Sequence, residues 1–215
     1  IVSGGHTQLA LFENHFDYKL LGRTQDDAIG EAFDKVAKIL GLDYPGGPSV
    51  AKAAKLGMTN AYYLPKAKLA EPYNFSFSGL KTAVLRTAQS EIGEDHRFPS
   101  FQLADRLSDA QKANLAASFQ HTAIETVVDK TVAAFEAFKP KSVVIAGGVA
   151  ASGELRTQLA ARLPINIDYT DPKLCTDNAA MIATLGYFVA KLDPKGSVSH
   201  KVDPMELQTQ PSLTM

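Results

Sequence analysis

The chain opens with Ile1-Val2-Ser3-Gly4-Gly5-His6-Thr7. An apolar β-branched pair running into Ser-Gly-Gly has the form of a buried strand ending in a glycine turn, where the backbone can approach a ligand that a Cβ would hold away. The pattern returns at Val144-Ile145-Ala146-Gly147-Gly148-Val149. Amides at such a turn or helix start are fixed donors to phosphate oxygens. A tight strand exit is the ordinary explanation of one such pair, but two in one chain shift the balance toward a bound nucleotide. Neither pair lies in a G-x-G-x-x-G or G-x-x-x-x-G-K-[ST] pattern, so a Rossmann site and a P-loop are both poorly supported. A buried strand end is also an unusual place for a chain to begin, so Ile1 is expected not to be the natural start.

With 215 residues and 45% hydrophobic content, the chain can bury one substantial core or two small ones. The balance of 22 basic and 23 acidic residues, net −1, disfavours a general polyanion binder, so any nucleic-acid contact needs a local patch or a partner. A single cysteine, Cys175, excludes a disulfide framework and a multi-cysteine zinc site, and fits a reducing cytoplasm. No stretch approaches the roughly 18 apolar residues of a membrane span and no charged-then-apolar leader is read, so a protein neither membranous nor exported is expected.

Alternation predicts a hairpin of strands 7–13 and 18–24. Asp26 or Asp27 is expected to cap a helix with Ile29, Phe33, Val36, Ala37 and Leu40 on its apolar stripe and Gly41 as its stop. Pro45-Gly46-Gly47-Pro48 reads as a rigid turn before a short helix at 49–57. Residues 58–78 look irregular, Leu80 to Gln89 is helical, and Ser108 caps a long helix to about Lys139. Ser142 to Ala146 reads as a buried parallel strand, followed by a glycine turn, a helix to about Leu163, a strand at 165–169 and an apolar helix at 177–192. The expected organisation is 1–48 as a phosphate-loop hairpin and helix, and 49–139 as a mainly helical insertion whose 109–139 helix returns to the core. Residues 140–192 are an α/β unit and 193–215 an extended tail. The fold class is α/β, with a parallel sheet flanked by helices as its core.

Asp27, Glu31 and Asp34 fall on one helix face, either as a solvated face or as acceptors for ribose hydroxyls or a transferred group. Thr176-Asp177-Asn178 suits an N-cap, yet a carboxylate there can also ligate a metal. Five histidines show no H-x-x-x-H spacing; His6, beside the glycine pair, is the one that points to a site. Cys175 reads as a buried structural thiol. Between residues 50 and 90, Lys52, Lys55, Lys66, Lys68, Lys81 and Arg86 face Glu71 alone, with Tyr62, Tyr63, Tyr73 and Phe75 interleaved. That pattern suits RNA, although lysines lying over surface helices explain it as well.

Five segments, Val2-Ser3-Gly4-Gly5-His6-Thr7-Gln8-Leu9, Gly30-Glu31-Ala32-Phe33-Asp34-Lys35, Leu42-Asp43-Tyr44-Pro45-Gly46-Gly47-Pro48, Phe75-Ser76-Phe77-Ser78-Gly79-Leu80-Lys81 and Cys175-Thr176-Asp177-Asn178-Ala179-Ala180-Met181-Ile182, together resemble one family. It is the tRNA N6-adenosine threonylcarbamoyltransferase family, formerly called O-sialoglycoprotein endopeptidases or glycoproteases. The resemblance covers about residues 1–190. It implies the carboxy-terminal portion of an actin-like (ASKHA, ribonuclease H-like) fold in which two loops pinch a nucleotide.

The implied reaction is transfer of threonylcarbamoyl from threonylcarbamoyl-AMP to N6 of the adenine beside the anticodon in tRNAs reading ANN codons. The resemblance further implies an iron or zinc ion, a nucleotide (threonylcarbamoyl-AMP or ATP/ADP), and as partners tRNA, a paralogous scaffold subunit and a small ATPase. By position, Ile1, Val2, Ser3, Gly4 and Gly5, with His6, match the phosphate and substrate loop. Asp34 and Gly47 match contacts to the nucleotide-like substrate, Gly147 and Gly148 the adenosine-side turn, and Asp177 the carboxylate metal ligand. The family's two histidine ligands and its first phosphate loop lie upstream of the Ser-Gly-Gly strand and are not in this sequence, so the chain alone is expected to be inactive. Ser152 stands where the family usually has a substrate-contacting asparagine. A metal-dependent glycoprotease lacks an H-E-x-x-H helix here, and a non-catalytic scaffold paralogue is disfavoured by His6, Asp34 and Asp177.

Overall fold

A computed structural model describes residues 1–169, 171, 173–175 and 177–192. The chain divides into two compact units, Ile1–Thr170 and Asp171–Met215. Seven α-helices and two two-stranded sheets occur among the described residues, none of them a helix long and apolar enough to cross a membrane.

In the first unit, β1 (Gln8–Asn14) and β2 (Asp17–Arg23) form the expected antiparallel hairpin, each strand one residue from its predicted bounds. Residues 73–77, read as irregular, run beside it. Phe75 donates its amide to the Arg23 carbonyl oxygen at 3.0 Å, and Gln25 donates to the Phe75 oxygen at 2.8 Å. Asp26 ties that segment down, accepting from the Ser76 hydroxyl at 2.6 Å and the Phe77 and Ser78 amides at 2.8 and 3.3 Å.

Asp26 therefore serves α3 (Ser78–Glu91), fifty residues away, and neither it nor Asp27 caps α1 (Ile29–Leu40), as one of them was expected to. Ala28 is the N-cap of α1 and has no side-chain bond to offer. The Thr7 hydroxyl accepts the first helical amide, from Ile29, at 2.8 Å. Burial works against ionisation of Asp26, but its hydrogen bonds outweigh it and hold the carboxyl below the ordinary aspartate range. A carboxyl whose pKa is lower folded than unfolded adds stability above the unfolded value and loses it as pH falls through the folded one. In urea titrations of wild type and Asp26→Asn from about pH 6 to about pH 3, the stability gap is expected to shrink below roughly pH 4. A gap that stays constant contradicts this.

Ile29, Phe33, Val36, Ala37 and Leu40 are all buried, as the α1 stripe predicts. The Pro-Gly-Gly-Pro segment differs from expectation: α2 (Gly46–Ala54) starts inside it, three residues before the expected helix. A short α4 (Leu103–Arg106) was not foreseen. The long α5 (Asp109–Phe138) carries a capping box, with Ser108 accepting from the Gln111 amide and the Gln111 side chain accepting from the Ser108 amide. Leu115, Phe119, Thr122 and Val128 are buried on it, and Phe119 meets Phe33 edge-on at 4.9 Å.

The principal apolar core thus lies among α1, α2, α3 and α5, where a parallel sheet was expected. The parallel element that does form is the pair β3 (Val143–Ile145) and β4 (Ile167–Tyr169), joined through α6 (Gly153–Arg162). Leu155 and Leu159 bury one face of α6. Along its contact with α5, Glu154 lies 3.5 Å from His121, and Arg162 pairs with Asp129. In the second unit, α7 (Asn178–Leu192) follows Asp177. The expected tail at 193–215 lies outside the described residues.

Candidate nucleotide site

The segments that carry the two glycine pairs, 142 residues apart between Gly5 and Gly147 in the numbering, are hydrogen-bonded neighbours through Val2. Val2 donates its amide to the Ala146 carbonyl oxygen at 2.8 Å, and its own carbonyl accepts from Val149 at 3.0 Å. Ile1 accepts from the Gln8 amide at 2.9 Å, which ties the start of the loop to β1. The loop then closes on itself: the Ser3 amide donates to the His6 carbonyl at 2.8 Å, while the Ser3 hydroxyl accepts from the Gly5 and His6 amides at 3.3 and 2.9 Å.

Beneath the loop stands α1. Gly30 donates to the Ser3 carbonyl at 3.1 Å, and a Cβ on Gly30 would fall 2.7 Å from that oxygen and 2.8 Å from the Gly4 Cα. Glycine is required there by close approach. Gly4, Gly5 and His6 are exposed on the outer side, and nothing lies within 4 Å of a Cβ built on either glycine. The second turn emerges at Gly147, whose φ of 99° belongs to glycine, and continues as a 3-10 turn over 148–151. Gly148 is open, and the Ser152 hydroxyl caps α6 by accepting from the Leu155 amide at 3.4 Å.

Four residues beyond Gly30, on the same face of α1, Asp34 accepts the Gly46 amide at 2.7 Å. A Cβ on Gly46 would sit 2.5 Å from the Asp34 Cα, so the two helices touch backbone to backbone, and Gly47 is left with open space beside it. The structure brings Asp34 and Gly47 together at the start of α2. The other carboxylates of the row are engaged elsewhere. Lys35 bridges Asp27 at 2.6 Å and Glu31 at 2.9 Å, and those bonds raise its own pKa. Of the three, Asp34 is the one that no cation bridges among the described residues.

Asp177 acts as a helix cap, its Oδ1 accepting the Ala180 amide at 3.0 Å. Among the described residues no three His, Cys, Asp or Glu side chains gather. Iron and zinc take several protein ligands, so a lone carboxylate with one oxygen already engaged does not by itself fit such an ion. The basic stretch is thinner than its sequence suggests. Lys66 is taken by Glu125 and Asp129 at 2.7 and 2.6 Å, and Arg86 by Gln89 and the His96 carbonyl at 2.8 and 3.0 Å. Lys52, Lys55 and Lys68 are exposed, as is Tyr63 at 92%.

Gly30 and Thr7 are supports that sequence reasoning missed as such. The signal for Gly30 was its place inside a helix, where glycine costs about 1 kcal/mol unless packing requires it.

Residues 1–184 match the model of one family, TsaD, described as tRNA N6-adenosine threonylcarbamoyltransferase. The chain belongs to the TsaD family. Relatives carrying that description include the Thermomicrobium roseum protein, 47% identical over 89% of this chain and 54% of its own length. The Symbiobacterium thermophilum protein is 48% identical over 94% of this chain and 55% of its length. That of Dehalococcoides mccartyi is 42% identical over 100% and 58%. The chain thus spans about half the length of the TsaD relatives it matches. The matched residues include both glycine turns, Asp34, Gly47, Ser152 and Asp177.

Proposed function

We propose that this chain is the carboxy-terminal portion of an actin-like (ASKHA) enzyme that transfers threonylcarbamoyl from threonylcarbamoyl-AMP to N6 of the adenine beside the anticodon in tRNAs reading ANN codons. The observation that carries the reading is the bonding of the Ile1–Gly5 loop, through Val2, to Ala146 and Val149 on either side of Gly147–Gly148, with open space beside Gly4, Gly5 and Gly148. Family membership supplies the substrate class.

In this reading the Gly4 and Gly5 segment, held by Ser3, offers backbone donors to the phosphate, and His6 borders it. Asp34 accepts from ribose hydroxyls with the oxygen the Gly46 amide leaves free, and Gly47 lets the ligand approach the α2 start. Gly147, Gly148 and Ser152 form the adenosine side. As N6 attacks the carbamoyl carbon and the bond to AMP breaks, charge grows on the departing phosphate, where preorganised amides stabilise it most. Asp177 is the carboxylate that the family resemblance assigns to an iron or zinc ion. The described residues complete no donor set, and no step is assigned to the ion.

The proposed partners are tRNA, a paralogous scaffold subunit and a small ATPase, in the cytoplasm, with 49–139 as a helical insertion. Threonylcarbamoyladenosine in tRNA is expected to fall when the full-length protein is depleted from cells, and to return with a wild-type copy but not with a copy lacking residues 1–7. Unchanged nucleoside content overturns the reading.

A further inference from the structure

We propose that Arg156 is a positioning residue for the nucleotide site, acting through the Gly147–Ser152 turn and not by touching the ligand. Its Nε donates to the Ala150 carbonyl oxygen at 2.9 Å, and its guanidinium carbon lies 4.4 Å from the centroid of the Tyr169 ring. Tyr169 closes β4 opposite Ile145 of β3. The stack therefore stands at the carboxyl ends of both parallel strands, where the glycine turn emerges and where sheets of this kind take ligands.

One side chain joins α6, β4 and the 148–151 turn. Val149 of that turn donates to the Val2 carbonyl oxygen, and Ala146, just before the turn, accepts the Val2 amide, so a displacement of the turn passes through the Val149 bond into the Ile1–Gly5 loop.

The chemistry selects arginine. Nη2 of Arg156 and the hydroxyl of Tyr169 are both enclosed with no hydrogen-bond partner among the described residues. The pair thus supplies a flat stacked face and one directed donor, and leaves two polar atoms unsatisfied at a cost. Methionine would fill the space without the Nη2 share of that cost, so the stack and the Nε bond are what arginine adds. Lysine spans a similar length but has neither a planar face nor an Nε–H in a fixed plane.

The proposal rests on the nucleotide reading of the site, and its test separates the two. In a full-length protein carrying this sequence, AMP affinity is measured by calorimetry, and KM for threonylcarbamoyl-AMP and kcat by tRNA modification. Arg156→Met, Arg156→Lys and Tyr169→Leu are each expected to weaken AMP binding and raise KM roughly tenfold at unchanged kcat per folded molecule. Arg106→Met, which removes an arginine 5.7 Å from the Phe98 ring, is expected to change neither. A merely structural role would instead lower the active fraction, and so the apparent kcat, with KM and AMP affinity unmoved. That result, or wild-type AMP affinity in Arg156→Lys, overturns the proposal, and Arg156→Lys and Tyr169→Leu decide it should Arg156→Met fail to fold. Wild type that binds AMP but modifies no tRNA overturns the proposed reaction and leaves this inference standing. Wild type that binds no AMP overturns both.

Discussion

Replacing Gly147 by alanine is expected to destabilise the chain by about 3 kcal/mol and to abolish nucleotide binding. Two costs combine. The φ of 99° with ψ of 168° is backbone that a residue with a Cβ rarely adopts, a penalty of about 1–3 kcal/mol. The added methyl would also lie 2.4 Å from the Val2 carbonyl oxygen and 2.9 Å from its carbon. Those atoms cannot yield as a flexible side-chain end would, because Val2 is held on both sides by the Ala146 and Val149 bonds. Relief requires the two glycine turns to part, which dismantles the site. Gly148→Ala is the comparison, since nothing lies within 4 Å of its Cβ position. Urea unfolding should show about 0.5 kcal/mol or less for that change. Equal losses at both positions would contradict the account.

The second large effect belongs to the core. Phe119→Ala is expected to cost about 3–5 kcal/mol, because a fully buried ring leaves a cavity that helix backbones close only in part. The ring lies edge-on to Phe33 of α1, and the Phe33 carbonyl borders the spot where Gly46 starts α2. The cavity opens against the Phe33 ring, one residue before Asp34 on α1, and AMP affinity should weaken along with stability. Phe12, 57% exposed on the hairpin, is the control: its alanine variant should lose about 1 kcal/mol or less in the same urea titration.

Local patterns carried much of this fold. The hairpin, the α1 stripe and the Ser108 capping box each depend on residues within a few positions of one another, so spacing alone exposes them. The misreadings share a different cause. Asp26 looked like a helix cap because it precedes α1, but its carboxylate is taken by Ser76, Phe77 and Ser78, half a hundred positions on. Pro45-Gly46-Gly47-Pro48 has the composition of a turn. It opens a helix because Asp34 accepts the Gly46 amide and the Gly46 backbone packs on that of Asp34, a tertiary contact that overrides propensity. The basic stretch shrinks in the same way, through Glu125 and Asp129 on α5. In the site, the two glycine pairs were visible one by one, but their union at Val2 is a long-range backbone pairing with no sequence signature. Asp27 shows the converse: it shares a helix face with Asp34, yet Lys35 neutralises it.

The loop bearing Ser3, Gly4 and Gly5 is propped almost wholly by main chain, with Gly30 below it and Ala146 and Val149 beside it. Such a support divides the tolerance to substitution unevenly. Positions whose side chains point into the open space around the loop can drift without moving it, as at Ser152, where an asparagine would cap α6 as well as a serine does. The residues that hold it by having no side chain, Gly30 and Gly147, have no neutral neighbours in sequence space, since the smallest possible change already meets an immovable oxygen. Random mutagenesis under selection for function should leave both glycines unchanged while the open positions around the loop vary.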